Sequence, residues 1–320
     1  MMVRGDAERW RCPPRAEPGH RSPCGPAVGE VLERRDRQDS CYRRFVIASD
    51  ELHLFFADPD SVSDGDVLGR CRALLSEEER VRCDRFKFAR DRHQFLVSHA
   101  LVRTVVARYA DAEPASLRFK IGERGRPELL PGTTPRPVRF NLSHTDGLIA
   151  VGVTAEHDVG VDVERMREVN LGIADKHFAP SEVESMRALP DADQRARFFA
   201  YWTLKESYIK ARGLGLALPL DGFAFDLDGG GLGFHIRDDL EDRGADWSFA
   251  LLEVAPHHRA AFAVRQGSGV VCRWRVFEGA PFQTSRERRP ATLAGLAVES
   301  VPGPSGEGNP GQAKSEEGSA

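Results

Sequence analysis

Two long stretches with helical periodicity, each flanked by short strand-like runs, constrain the fold of this 320-residue chain most strongly. In "DRHQFLVSHALVRTVVARYA", residues 91–110, apolar pairs recur at 95/96, 101/102 and 105/106, the pattern of a long amphipathic helix. In "FFAYWTLKESYIKARGLG", residues 198–215, aromatic residues recur at helical spacing before a glycine that can end a helix. We therefore expect two long helices, each packed by its apolar face.

Strand-like runs surround both helices. The run "FVIASDELHLFFAD" precedes the first helix, and "VRFNLS", "LIAVGVT" and "VGVDVE" follow it with turn residues between them, which suggests an antiparallel sheet. The runs "FAFDL", "FHI", "WSFALLEV" and "AAFAVR" follow the second helix. This recurrence predicts an α+β protein with two similar halves, although the sequence itself contains no visible repeat.

Two shorter helices are expected from their capping patterns. The segment "SEEERVRCDRF" begins with Ser76 and Glu79 at the spacing of a capping box. The segment "PSEVESMRAL" offers Ser181 and Glu184 at the same spacing. Each short helix would precede one of the long helices.

The two ends of the chain differ in composition from its centre. Residues 1–44 are rich in Arg, Pro and Gly and lack periodic apolar residues, as does the C-terminal segment from 283 to 320. We expect both to be disordered tails. The N-terminal half of the folded domain is then placed at 45–157 and the C-terminal half at 158–282.

Composition excludes several classes of function. The formal net charge is −4, from 45 basic and 49 acidic residues, so no positive field predicts nucleic-acid or membrane binding. Six cysteines show neither metal-site spacing nor the density of a disulfide scaffold, which favours a reducing cytoplasm. No apolar run reaches the roughly 18 residues of a spanning helix. The N-terminal segment also lacks the apolar stretch of a secretory signal, so we expect a cytoplasmic protein.

The second long helix carries an acid on an apolar stripe. Glu206 shares a helix face with Trp202 and Lys210. Taken alone, Glu206 and Lys210 form an i,i+4 salt bridge, which stabilises a helix by roughly 0.2–0.5 kcal/mol. For this pair in isolation, that structural interpretation is the better one.

A second acidic motif lies in "VGVDVERM". Valines at 159, 161 and 163 alternate with Asp162 and Glu164, so a strand here buries the valines and directs both carboxylates to its other face. In isolation, a solvated strand face is the better interpretation. With a third carboxylate from Glu206, however, the pair would suit Mg²⁺, which takes oxygen ligands and shares its shell with substrate phosphates.

The turn segment "NLSHTDG" places Ser143 and His144 at the end of a strand. A hydroxyl and an imidazole in this position can reach a phosphate group. An ordinary turn histidine is the alternative, and it is favoured when the segment is considered alone.

Taken together, these segments resemble one family. The segments "FNLSHTDGLIAVGV", "GVDVE" and "FFAYWTLKESYIKARGLGLALPLDGFAF" occur in the order and at the intervals of the 4′-phosphopantetheinyl transferase superfamily. The closest resemblance is to its monomeric, Sfp-type group, which activates peptide and polyketide synthetases. Residues 45–282 are covered, and G-[IV]-D-[IV]-E followed by W-x-x-K-E-[SA]-x-x-K is met at every position. Joint occurrence is far more specific than any single motif, so the separate structural interpretations are less favoured.

The resemblance implies two similar α+β halves with coenzyme A bound in the cleft between them. It implies that Asp162, Glu164 and Glu206 ligate Mg²⁺ on the pyrophosphate of coenzyme A. His144 and Lys210 would hold the phosphates.

Further contacts with coenzyme A are implied by position. Ser143 lies beside the phosphate-binding histidine, and Arg126 in "GERGRPEL" matches a basic position near the nucleotide. Arg82 matches a basic residue that meets the 3′-phosphate. Glu79 stands where the family often has a lysine, with Arg80, Arg85 and Arg90 as possible substitutes.

The implied reaction is Mg²⁺-dependent transfer of 4′-phosphopantetheine from coenzyme A to a serine of an apo acyl or peptidyl carrier protein. Such carriers serve fatty-acid, polyketide and nonribosomal peptide synthesis, the last two in secondary metabolism. Glu206 would be both ligand and base, acting directly or through water. Lys205 is expected beside it, orienting the acid or meeting substrate phosphate. The resemblance also implies a monomer.

Two other classes of function remain as alternatives. One is a non-catalytic protein of the same fold that binds coenzyme A or a carrier, although all three acidic positions are present. The other is a different Mg²⁺-dependent phosphotransferase, but the sequence has no G-x-x-x-x-G-K-[ST] loop to cradle a nucleoside triphosphate.

Overall fold

The computed structural model of the chain describes residues 45–122, 125–296 and 298–300. The predicted tail at 1–44 and residues 301–320 lie outside the described residues. The N-terminal half contains β1 (Glu51–Ala57), α1 (Gly65–Leu74), α2 (Glu77–Asp84), α3 (Ala89–Ala110), β2 (Phe119–Ile121), β3 (Pro127–Leu129), β4 (Arg139–Thr145) and β5 (Leu148–Thr154).

The C-terminal half begins with a strand and again places its longest helix before an antiparallel strand pair. Its elements are β6 (Val159–Arg165), α4 (Ala174–His177), α5 (Pro180–Arg187), α6 (Asp191–Arg212), β7 (Phe223–Asp226), β8 (Gly233–Ile236), β9 (Trp247–Ala255) and β10 (His258–Arg265). The chain continues through β11 (Cys272–Glu278), β12 (Arg286–Arg288), β13 (Ala291–Leu296) and β14 (Val298–Ser300). Helices α3 and α6 confirm the two long helices that the sequence periodicity predicted.

The two halves have the same strand order. In the first, β1 pairs antiparallel with β5, and β5 with β4. In the second, β6 pairs antiparallel with β10, and β10 with β9. Each half is therefore a strand, a long helix and a strand pair connected in the same way, which confirms the prediction of two similar α+β halves. Strand β11 extends the first sheet by pairing parallel with β1.

The two sheets pack face to face, with one long helix on the outer side of each. Leu54 of β1, Val161 of β6 and Phe262 of β10 belong to the core between the sheets. Helix α3 packs with the other face of the first sheet, and α6 with the other face of the second. Within the described ranges, no helix is long and apolar enough to cross a membrane.

Strand β6 does not join β4 and β5 in one sheet, contrary to the prediction. Its backbone N–H groups on the side of β4 bond to side chains instead of a neighbouring backbone. The bonds run from Val161 to Asn141 Oδ1 at 2.9 Å, from Val163 to Ser143 Oγ at 3.3 Å and from Arg165 to Thr145 Oγ1 at 3.3 Å. This row of polar side chains satisfies the edge of β6 and joins the two halves.

Strand β6 and helix α6 are in direct backbone contact at Gly160. A Cβ atom at this position would lie 1.9 Å from the Ser207 carbonyl oxygen and 2.4 Å from the Ala211 nitrogen. Because side chains alternate along a strand, Asp162 and Glu164 share the face of Gly160 and lie beside α6. The glycine thus sets the distance between two of the predicted site elements.

The short helices differ in their agreement with the capping predictions. The capping box of Ser76 and Glu79 at the start of α2 is confirmed. At α5 the prediction is wrong, because Pro180 occupies the first helical turn and Ala179 becomes the N-cap. Glu182, rather than Glu184, accepts the hydrogen bond from the Ala179 N–H at 2.9 Å.

The C-terminal segment is structured further than predicted. Strand β12 and parallel β14 pair with β11, while β13 pairs with β9 at the edge of the second sheet. Glu287 of β12 also accepts hydrogen bonds from Arg275 at 2.6 and 3.0 Å. The prediction of disorder from residue 283 is therefore wrong for 286–296 and 298–300. The sequence signal was weak because these strands are short and because most described side chains of β12 and β13 are exposed.

We expect a variant ending at residue 282 to lose roughly 1–3 kcal/mol of unfolding free energy, because the edges of β9 and β11 lose their partners. A variant ending at residue 300 serves as its matched control and should unfold like the full chain. Urea denaturation of the three proteins measures the difference. Equal midpoints for all three would show that the added strands contribute nothing to stability.

Candidate active site at the junction of the two halves

Asp162 lies at the centre of the junction. Its Oδ1 accepts a hydrogen bond from Lys210 Nζ at 2.5 Å and one from Ser143 Oγ at 3.0 Å. Lys210 Nζ also donates to Ser143 Oγ at 2.8 Å. Lys210 thus pairs with a strand carboxylate, in place of the helix salt bridge to Glu206 considered from the sequence alone. Asp162 Oδ2 is buried and has no hydrogen-bond partner among the described residues.

Glu164 and Glu206 share an electrostatic environment with Asp162. Burial first, and then the negative charge of Asp162, raise the pKa of both glutamates from 4.5 to about 7, while Lys210 opposes the rise. The charge of Glu206 also raises the pKa of Glu164. The structure therefore brings together the three predicted acids, and one ammonium is too little positive charge to compensate them.

The chemistry of these donors fits a hard divalent cation. The uncompensated charge and the unpartnered Asp162 oxygen are features that an oxygen-binding ion such as Mg²⁺ would relieve. In the part of the chain that the structure describes, no group of three His, Cys, Asp or Glu side chains is arranged to hold a metal ion.

The raised pKa values predict a pH-dependent stability for the metal-free protein. The folded state keeps protons on Glu164 and Glu206 up to a pH of about 7, whereas the unfolded chain releases them near 4.5. Stability should thus be highest below pH 4.5 for this contribution and fall as the pH rises to about 7. Urea unfolding in EDTA between pH 5 and 8, with Glu206→Gln for comparison, measures it. A slope equal in both proteins would contradict the assignment.

His144 follows Ser143 at the end of β4, and its side chain is exposed at the junction. The pKa of His144 is lowered to about 4, and the largest cause is desolvation of the imidazole by the protein around it. The positive charges of Lys210, His99 and Arg82 lower it further, while Asp91 opposes the shift. Three cationic side chains from two halves therefore act on one imidazole. Such a convergence favours an anion, because a phosphate would offset the mutual repulsion.

Arg126 connects the N-terminal half to the end of α6. Its Nη1 donates to the carbonyl oxygens of Ala211 at 2.8 Å and Lys210 at 3.3 Å. These carbonyls belong to the last helical turn, where a guanidinium complements the helix dipole. Nε and Nη2 of Arg126 are buried without partners in the described ranges. Arg126 therefore holds the C-terminal turn of α6, and its predicted contact with the nucleotide stays a prediction.

Lys205 does not face the junction, which contradicts the prediction that it meets substrate phosphate. Its side chain is 0% exposed, and Nζ lies 2.7 Å from Glu182 Oε2. The ammonium also donates to the carbonyls of Leu220 at 2.7 Å and Phe223 at 2.6 Å. A side chain adjacent to Glu206 in sequence points to another face of the helix, so Lys205 fixes α6 to α5 and the chain before β7.

The residues of α2 that the family resemblance relates to the 3′-phosphate lie against α3, and their contact with coenzyme A stays a prediction. Arg82 lies with its guanidinium 5.4 Å from the centre of the Phe95 ring on α3. Glu79 points into the same half, where it pairs with Arg103 at 2.7 Å and His99 at 3.0 Å.

Sequence reasoning missed Glu182, Asn141 and His99. Only the polar alternation of "FNLSHT" offered a signal, at Asn141.

Two family models match the chain. The 4′-phosphopantetheinyl transferase superfamily matches residues 158–264, and the N-terminal region of 4′-phosphopantetheinyl transferase matches residues 66–156. A holo-[acyl-carrier-protein] synthase structure from Thermotoga maritima is 19% identical with a TM-score of 0.29, over 35% of this chain and 65% of that chain.

Individual relatives agree with the two family models. The chain is 34% identical over 174 residues to the 4′-phosphopantetheinyl transferase HetI of Nostoc sp., which covers 54% of this chain and 73% of that protein. It is 30% identical over 194 residues to the 4′-phosphopantetheinyl transferase Sfp of Bacillus subtilis, over 60% of this chain and 83% of that protein. The chain therefore belongs to the 4′-phosphopantetheinyl transferase superfamily.

Proposed function

We propose that the chain is a 4′-phosphopantetheinyl transferase that moves the phosphopantetheine arm of coenzyme A to a serine of an apo acyl or peptidyl carrier protein. The supporting observation is the junction itself, where Asp162, Glu164 and Glu206 stand beside Lys210 in a member of this superfamily. No other described group combines acids and cations in this way with the family motifs.

In the proposed reaction, the serine oxygen forms a bond to the pyrophosphate phosphorus nearer the pantetheine. The bond from that phosphorus to the bridging oxygen breaks, and adenosine 3′,5′-bisphosphate leaves. Glu206 accepts the serine proton on its carboxylate. In the metal-free protein, burial and the charge of Asp162 raise the pKa of this carboxylate to about 7, so it holds a proton more readily than an exposed glutamate does.

The nitrogen donors Lys210 and His144 have a complementary role. Lys210 and His144 face the junction from α6 and β4, and their hydrogen bonds would hold and orient pyrophosphate oxygens. Asp162, Glu164 and Glu206 would hold Mg²⁺, which when bound neutralises negative charge on the pyrophosphate. Ser143, bonded to both Asp162 and Lys210, keeps these two side chains in register before substrate arrives.

The carrier is expected to approach next to the end of β6. A cavity of about 260 Å³ opens there, lined by Met166, Arg167, Glu168, Ala192, Arg195, Ala196 and His257. Arg167 in this lining suits the acidic helix of a carrier for secondary metabolism or fatty-acid synthesis, whereas Arg195 already pairs with Glu168 of the same lining. Cys71, Cys83 and Cys272 are buried free thiols, in keeping with a reducing cytoplasm.

The decisive experiment for this proposal uses the purified full chain, coenzyme A, Mg²⁺ and a panel of apo carrier proteins. Mass spectrometry of the carriers should show the added phosphopantetheine arm on at least one of them, together with release of adenosine 3′,5′-bisphosphate. Binding of coenzyme A without any modified carrier across acyl and peptidyl types would favour the non-catalytic alternative.

A further inference from the structure

Glu79 is ionised and enclosed by groups of its own half. Its Oε1 lies 3.0 Å from His99 Nδ1, and Oε2 accepts from Arg103 Nε at 2.9 Å and from Ser76 N at 2.8 Å. Burial raises the pKa of Glu79. The hydrogen bond from His99 and the charges of His99 and Arg103 outweigh this effect and lower the pKa to about 2. Arg103 balances its charge, so Glu79 repels an approaching anion only weakly.

The enclosed carboxylate fixes the orientation of His99. An ionised Glu79 can only accept, so Nδ1 of His99 carries the hydrogen of their bond. The ring is further held by stacking on Phe95, at 3.9 Å between centroids and 27° between planes. Nε2 lies on the opposite edge of the ring, the side chain is 24% exposed, and no partner for Nε2 occurs in the described ranges. His99 therefore presents one nitrogen to solvent in a fixed direction.

His99 and Arg82 both lie against one aromatic ring. The Arg82 guanidinium lies 5.4 Å from the centre of the Phe95 ring on which His99 stacks. Gln94, which precedes Phe95 on α3, attaches this helix to the end of β4, because its Nε2 donates to the Thr145 carbonyl at 2.6 Å. This contact brings the pair towards His144, the residue before Thr145. In agreement, the charges of His99 and Arg82 both act on His144.

The geometry points to His99 as a further substrate-binding residue, which in its doubly protonated form donates from Nε2 to the phosphate monoester of coenzyme A together with Arg82. This inference rests on the proposed function. Coenzyme A carries a pyrophosphate and one separate phosphate monoester on its ribose. Lys210 and the three acids are already assigned to the pyrophosphate, so the pair at α2 and α3 is left for the monoester. A dianion also suits two adjacent donors.

The test measures binding of two small probes to the full chain by isothermal titration calorimetry. Adenosine 3′,5′-bisphosphate carries the monoester, and adenosine 5′-monophosphate lacks it. His99→Gln keeps a donor for Glu79 but removes the group that reaches solvent. The matched control is His93→Gln on the same helix, since His93 Nε2 is bonded to the Pro59 carbonyl at 2.9 Å. Melting temperatures confirm that each variant folds, and Arg82→Gln provides a second, independent variant.

The wild-type chain and His93→Gln should prefer the bisphosphate, and His99→Gln should lose about tenfold of that preference, the size of one charge-assisted hydrogen bond. Arg82→Gln should lose preference in the same direction. An equal loss of affinity for both probes in His99→Gln, or an undiminished preference, would overturn the inference. Carrier modification is measured separately: a wild-type chain that modifies carriers without any preference refutes only the role of His99. One that discriminates the probes but modifies no carrier refutes only the proposed function.

Discussion

Replacing Glu206 by glutamine is expected to lower the rate of phosphopantetheine transfer by about a thousandfold or more. The variant loses the proposed proton acceptor and one of three proposed metal ligands together, and each contribution alone is worth on the order of 10²–10⁴-fold. The stability of the folded, metal-free protein should not decrease. Burial and the charge of Asp162 disfavour the ionised form of Glu206, so a neutral side chain relieves repulsion.

The measurement pairs single-turnover transfer rates with melting temperatures in EDTA at pH 8. Glu184→Gln is the matched control, because Glu184 is an exposed acid on the neighbouring helix α5. Its rate and its melting temperature should equal those of the wild-type chain. A Glu206→Gln protein that turns over at a near-normal rate, or that melts well below the control, would exclude the assigned role.

Replacing Lys205 by methionine is expected to destabilise the fold by about 3–5 kcal/mol, the usual result of leaving one partner of a buried ion pair alone. Both side chains of the pair are 0% exposed, and Lys205 also donates to two backbone carbonyls. Folded Lys205→Met, assayed well below its melting temperature, should retain most of the wild-type transfer rate. A catalytic lysine would behave in the opposite way.

The double variant Lys205→Met/Glu182→Gln tests the pairing itself. The Glu182 carboxylate accepts from the N–H groups of Ala179 and Phe225, both at 2.9 Å, and a glutamine oxygen can keep part of this bonding. The double variant should recover about 1–2 kcal/mol relative to Lys205→Met, since no unpaired buried charge remains. Additive losses in denaturant unfolding would mean that the two residues act independently.

The sequence predicted well those features that depend on local periodicity. Alternating valines assigned Asp162 and Glu164 to one face of a strand, and the helical spacing brought Glu206 and Lys210 to one stripe. Both patterns reflect burial by one face of an element, which single-sequence periodicity records directly. The sequence did not indicate which element packs against this face of the strand. The two acids lie beside α6 because Gly160 permits backbone contact between β6 and that helix.

The errors share a physical cause, since each depends on partners distant in sequence. Lysine is normally exposed, and nothing local indicated that Glu182 would bury and neutralise Lys205. Strand β6 does not pair with β4 as predicted, because side chains of β4 such as Asn141, and not its backbone, accept hydrogen bonds from the N–H groups of β6. The cap of α5 moved because Pro180 is better placed in the first helical turn than Ser181 is as a cap.

Asp162, Glu164 and Glu206 are proposed to form a Mg²⁺-dependent transfer site at the junction. The most direct measurement is the rate of carrier modification as Mg²⁺ is titrated into the EDTA-treated wild-type chain and into Asp162→Asn and Glu164→Gln. We expect the wild-type chain to be inactive without Mg²⁺ and to be restored by it, whereas both variants should stay orders of magnitude slower at every concentration. Wild-type turnover that persists in EDTA, or near-normal turnover of either variant, would contradict it.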